Sequence, residues 1–156
     1  MDFVVAFDAS PIACSALGRA ETLAAAVGGS VTTVTVIPRN NPTYARNRGW
    51  IGPEEAFSTE SIRETVEERV ASIAPGADVR TRTVERYAPR GKIGRVLRTT
   101  VATIPTDVLV IGSRNVGRVF TAATTASGAV AEGAYDVFVV RSVDPACRSG
   151  AFDTPK

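Results

Sequence analysis

The chain has 156 residues, 44% of them hydrophobic and 22% charged, with a formal net charge of only +2. That length supports one domain with its own core and leaves little room for a second, and so small a charge gives no reason to expect a nucleic-acid partner, which needs basic residues clustered on one face. Histidine is absent, which excludes Ser-His-Asp and Cys-His nucleophilic schemes and the usual imidazole ligands for zinc.

The two cysteines, Cys14 and Cys147, lie far apart with no pairing or zinc pattern and read as free thiols. No apolar run approaches the roughly 18 residues of a membrane span, and the opening MDFVVAFDAS lacks the basic flank and small-residue cleavage site of a signal peptide. A soluble cytoplasmic protein without membrane insertion is the expectation. Lys92 and Lys156 are the only lysines; the rest of the positive charge is arginine.

Phe3 to Phe7 is a short apolar run closed by Asp8-Ala9-Ser10-Pro11, where Ser10 can cap a helix and Pro11 can occupy its first turn. Ala16, Leu17, Ala20, Leu23, Ala24 and Val27 then recur at helical spacing until Gly28-Gly29. Ser30 to Ile37 predicts a second strand, with every residue from Val31 to Ile37 β-branched. Pro38 to Phe57 breaks every periodicity and carries Tyr44 and Trp50. It reads as a long surface excursion, in which Trp50 either anchors the loop to the body of the domain or closes over a ligand.

Ile62, Val66, Val70 and Ile73 mark one face of an amphipathic helix from Ser58 to Ile73, ended by Pro75-Gly76. Val79 to Val84 alternates as an edge strand would, with Arg80 and Arg82 outward as charged protection. Ile93, Val96, Leu97, Val101 and Ile104 predict a third helix ending before Pro105. Thr106 to Ile111 predicts a fourth strand whose Val108 to Ile111 run is continuously apolar, as in a parallel sheet covered on both faces, and it breaks at Gly112-Ser113. Thr121 to Gly133 carries a fourth helix pattern, Val137 to Val140 a last strand, and Ser142 to Lys156 reads as a C-terminal tail beyond a domain at 1–141.

Strands alternating with helices, joined by right-handed crossovers, imply an α/β fold: a doubly wound five-stranded parallel sheet of order 3-2-1-4-5, with helices on both faces. That order puts the loop carrying Asp8, Ala9 and Ser10 beside the loop carrying Gly112 to Gly117. A ligand belongs at such a switch point, outside the carboxyl ends of the strands.

These residues resemble the universal stress protein family. Its first strand ends in a V-D-G-S-like motif, here AFDAS at Ala6 to Ser10, and its fourth in V-x-G-S-R, here VIGSR at Val110 to Arg114. The Ala16-Leu17 and Ala20 spacing, VTVIP at Val34 to Pro38, Gly91, and VFVVR at Val137 to Arg141 extend the resemblance over nearly the whole chain. It implies an adenine nucleotide alpha hydrolase-like fold and, in nucleotide-binding members, ATP or a related adenine nucleotide. By the same resemblance Asp8 lies near the adenine or ribose, Val36 and Ile37 line the base pocket, and Gly112, Ser113, Arg114, Asn115, Gly117, Thr124 and Thr125 belong to the phosphate loop. Asp8 can equally be a turn residue before the helix.

The binders' pattern after the fourth strand resembles G-x2-G-x9-G-[ST]. Here Gly112 supplies the first glycine, Asn115 stands at the second, and Thr125-Ala126 or, aligned from the last strand, Ala123-Thr124 replaces the final pair. Gly117 can serve as a displaced glycine and Arg114 or Arg118 as a direct phosphate contact, in place of backbone amides that glycine lets approach the phosphate. Two functional readings follow: a regulator that binds an adenine nucleotide and is not an enzyme, or a nucleotide-blind module. The family's habit of pairing implies a homodimer through Val137 to Arg141. A regulatory domain associated with a transporter is a third reading. An ATP-pyrophosphatase would need an S-G-G-x-D-S-like loop, which Asp8-Ala9-Ser10-Pro11 does not supply.

Overall fold

A computed structural model describes residues 1–89, 91–113 and 134–148. In chain order the elements are β1 (Asp2–Ala6), α1 (Pro11–Val27), β2 (Ser30–Pro38), α2 (Pro42–Asn47), α3 (Thr59–Ile73), β3 (Asp78–Val84), α4 (Lys92–Ala102), β4 (Val108–Gly112), β5 (Asp136–Val140) and α5 (Pro145–Arg148). The strands form one sheet in the order β3-β2-β1-β4-β5, and every neighbouring pair is parallel, with Val4 opposite both Thr32 and Leu109. This is the expected doubly wound order. The fourth crossover pattern, Thr121 to Gly133, lies outside the described residues.

Alternation along the strands divides the core into two layers, because successive side chains on a strand point to opposite faces. Phe3, Val5, Phe7, Val31, Ile37 and Val110 face α1 and α3, and meet Leu17, Ala20, Ile62, Val66 and Val70. Val4, Val34, Val36, Leu109 and Ile111 face the other way onto Leu97 and Val101 of α4. Both faces of the central strands are therefore dry, which is why β1 and β4 read as unbroken apolar runs. Two buried threonines of β2 find carbonyl partners in place: Thr35 Oγ1 donates to the Phe7 carbonyl at 2.6 Å and Thr33 Oγ1 to the Asp78 carbonyl at 3.4 Å.

The helix ends follow their local chemistry. Ser10 caps α1 with its side chain accepting from the Ala13 amide, Pro11 opens the first turn, and Gly28 closes the helix in the left-handed conformation at φ 70°. Ser58 caps α3 by accepting from the Ser61 amide. At the sheet edge, Arg80 and Arg82 are exposed on β3, as its alternation requires.

Two stretches are more ordered than their composition suggests. The Pro38 to Phe57 excursion holds α2, whose N-terminus is capped by the Asn41 side chain accepting from the Tyr44 amide and opened by Pro42. The stretch read as a tail is folded back as far as Arg148: Val143 is buried, the Asp144 amide donates to Ser15 Oγ at 2.9 Å, and Cys147 packs against the α1 layer.

Candidate functional site

A cavity of about 150 Å³ opens at the carboxyl end of the sheet on the α4 side, where β1 and β4 lie side by side. Its floor is apolar, made by Ala6, Val34, Val36 and Ile111 from the sheet and Ile93 and Leu97 from α4. Asp8, Ser10, Tyr44 and Arg48 form a polar rim, and Gly112 closes the β4 side. An apolar floor with a few convergent polar groups is the usual make-up of a small-molecule site.

The loop after β1 is held from all sides. Asp8 Oδ1 accepts from the Ser10 amide at 3.0 Å, Asp8 Oδ2 pairs with the Arg48 guanidinium, and the Asp8 carbonyl accepts from Trp50 Nε1 at 2.9 Å. Asp8 is therefore a turn residue whose side chain also lines the cavity. Ala9 sits at φ 63°, in the left-handed region. The resembling motif has glycine there, and an alanine carries about 1–2 kcal/mol of conformational cost in that region.

Beneath this loop the Cys14 Sγ–H group donates to the Ala9 carbonyl at 3.8 Å. Burial, reinforced by the neighbouring Cys147, pushes the Cys14 thiol up to about 12. It stays protonated at neutral pH and is no nucleophile.

The second wall comes from the excursion. Trp50 is buried at 3% exposure, and its ring meets Tyr44 at 5.7 Å between centroids with a tilt of 56°. Arg48 lies over the Tyr44 ring, 4.9 Å from its centroid. Burial raises the Tyr44 hydroxyl above its ordinary range against the opposing pull of the Arg48 charge, so Tyr44 is neutral at physiological pH. Arg69 of α3 fixes the far end by donating to the Gly49 carbonyl at 2.6 Å. Of the two readings of Trp50, the anchor is the one observed; Tyr44 and Arg48 are the parts of the excursion that face the cavity.

On the β4 side, a side chain at Gly112 would place its Cβ 2.7 Å from the Ile12 carbonyl oxygen. Glycine here lets β4 approach the first turn of α1. The Ser113 amide continues the sheet by donating to the Val140 carbonyl at 2.9 Å, so that amide is already committed.

Of the twelve residues expected at the site, Asp8, Ser10, Val36 and Gly112 line the cavity. Ala9 and Ser113 flank it. Ile37 does not line it: it is fully buried in the layer facing α1 and α3, because it follows Val36 on a strand and must point to the opposite face. Arg114, Asn115, Gly117, Thr124 and Thr125 lie outside the described residues. Tyr44 and Arg48 are the additions that sequence reasoning missed. The signal was present in Asn41-Pro42, a cap and first-turn proline, which puts Tyr44 and Arg48 on one side of a short helix at a spacing of four. Among the described residues there is no cluster of three or more His, Cys, Asp or Glu able to hold a metal, and no helix is long and apolar enough to cross a membrane.

A family model, that of the universal stress protein family, matches residues 1–141. The chain belongs to this family. Solved structures of universal stress proteins share its fold. One, a universal stress protein in complex with cAMP, is 24% identical with a TM-score of 0.53, covering 90% of this chain and 95% of its own. The universal stress protein from Archaeoglobus fulgidus is 19% identical with a TM-score of 0.58, covering 90% and 93%. The universal stress protein UspA from Lactobacillus plantarum is 18% identical with a TM-score of 0.57, covering 90% and 97%. A comparison with proteins of curated function finds no match.

Proposed function

We propose that this universal stress protein is a cytoplasmic regulatory domain that binds an adenine nucleotide between the loop after β1 and the end of β4 and acts by binding rather than catalysis. The observation that carries the reading is the cavity itself: an apolar floor of Val34, Val36, Leu97 and Ile111 suited to a planar base, beside a polar rim of Asp8, Ser10 and Arg48. The relative crystallised with cAMP supports the same ligand class. Asp8, the one acid among the described residues that line the cavity, is already paired with Arg48 and the Ser10 amide, which makes it a poor general base.

The test is to denature freshly purified protein, identify any released small molecule by mass spectrometry, and titrate the stripped protein with ATP, AMP and cAMP. Release of an adenine nucleotide or saturable binding is expected. An empty protein that also binds none of the three at millimolar concentration refutes the reading.

A second reading, a dimeric interaction module, is favoured by one feature. Phe138 on the edge strand β5 is 41% exposed, an apolar residue on a strand edge open to pairing. Phe138→Glu is expected to give a monomer in light scattering, and an unchanged dimer would remove β5 from the interface.

A further inference from the structure

We propose that Arg48 is the residue that receives the anionic group of the bound nucleotide, a phosphate or phosphodiester, with Asp8 and Tyr44 as its positioning residues; this rests on the nucleotide reading above. Asp8 and Arg48 carry the only charges among the described residues that line the cavity. Their chemical states differ. The two Asp8 oxygens each have a donor already, the Ser10 amide and the Arg48 guanidinium. The guanidinium has five N–H groups in a fixed plane, and its contacts to Asp8 and Tyr44 use only part of them. Arg48 thus keeps N–H donors to spare at the rim, which suits an anion better than a cationic ligand.

The position of Arg48 is set before any ligand arrives. The Asn41 side chain at the start of α2 donates to the Arg86 carbonyl at 2.9 Å, Trp50 is locked to the Asp8 carbonyl at 2.9 Å, and Arg69 grips Gly49 at 2.6 Å. Between these three anchors, the Tyr44 ring supports one face of the guanidinium and Asp8 holds its edge. A planar fork held in this way loses little freedom when it binds a phosphate, unlike a free surface lysine. Asp8 in turn is kept from repelling the anion because its own charge is compensated. The apolar floor takes the base, and Arg48 at the rim takes the charge.

The chain has a single tryptophan, and Trp50 touches both Tyr44 and Asp8, so its fluorescence reports directly on this rim. The experiment titrates wild type, Arg48→Gln and Arg48→Lys with AMP and with adenosine, at low and at high salt, with calorimetry as a second readout. Wild type is expected to bind AMP about tenfold or more tightly than adenosine, as charge-assisted hydrogen bonds require, and salt is expected to narrow that gap. Arg48→Gln should abolish the AMP advantage while leaving adenosine binding within about twofold, and Arg48→Lys should restore part of it.

Equal weakening of both ligands by Arg48→Gln, or no change in either, overturns the assignment while leaving nucleotide binding intact. Failure of wild type to bind either compound overturns the nucleotide reading and this inference with it. Arg48→Gln and wild type should have matching circular dichroism, since the pair is more than a third exposed.

Discussion

The two rims of the cavity are built by opposite means. The rim after β1 is held by donors and acceptors: Trp50 on the Asp8 carbonyl, Thr35 on the Phe7 carbonyl, Ser10 and Arg48 on the Asp8 carboxylate. The rim at the end of β4 is held by the absence of a side chain, with Gly112 pressed against the Ile12 backbone. A hydrogen-bonded rim can exchange one partner for another when a ligand arrives. A rim made by close contact cannot, and it fixes the spacing against which the other works.

Trp50 is where the first rim can be broken most thoroughly. Trp50→Ala removes a buried aromatic and leaves the Asp8 carbonyl without its donor, so a loss of about 3–5 kcal/mol is expected in urea unfolding. Nucleotide binding should fall with it, because the segment around α2 loses one of its three anchors. A loss below about 1 kcal/mol would mean that the excursion is not fastened through Trp50 at all.

Gly112 tests the other rim. Gly112→Ala forces a methyl to within 2.7 Å of a backbone oxygen, and either β4 or α1 must shift, at about 1–3 kcal/mol. If rigidity is what this rim supplies, ligand affinity should drop further than stability does. Near-neutral behaviour in both measurements would show that the approach of β4 to α1 is adjustable, and the contrast between the rims would dissolve.

The sheet was legible because the physics that orders it is local and repetitive: β-branched runs, the Ser10-Pro11 start, the Gly28 stop, and crossovers of one hand. The site was legible only where a motif coincides with that frame. Val36 and Ile37 show the limit, since a motif names two neighbours and a strand can turn only one of them toward the cavity. Tyr44 and Arg48 were hidden for a different reason. Periodicity is the main helix signal, and the 6 residues of α2 are too few to display one, so the cap alone announced it. The packing of Cys147 against the α1 layer and the bond from the Asp144 amide to Ser15 Oγ depend on contacts from opposite ends of the chain, which no local pattern reveals.

Cys14 sharpens the comparison through pH. Its thiol supports the first rim from below as a donor to the Ala9 carbonyl, and the folded state holds its proton up to about 12 against an ordinary 9.0. The contribution is fully present below about pH 9, where folded and unfolded chains are both protonated. It is lost as pH rises from there toward 12, because the unfolded chain ionises first, at up to about 1.4 kcal/mol per pH unit. Urea midpoints at mildly and strongly alkaline pH should therefore fall more steeply for wild type than for Cys14→Ala. Parallel slopes would show that the buried thiol does not couple to folding.

The smallest effect separates holding the fold from holding the ligand. Arg48 and Asp8 form their pair with side chains 38% and 36% exposed, where water and salt screen most of the attraction, so Arg48→Ala should cost no more than about 1 kcal/mol. Asp8 keeps its bond from the Ser10 amide and the turn keeps its Trp50 contact, so nothing buried is orphaned. A cost of several kcal/mol, measured by the same unfolding assay as Trp50→Ala, would make Arg48 a structural strut of the first rim. A small one leaves the guanidinium poised over Tyr44 for reasons that stability does not explain, and the gap between the Trp50 and Arg48 values then measures how far this rim divides its anchor from its contact.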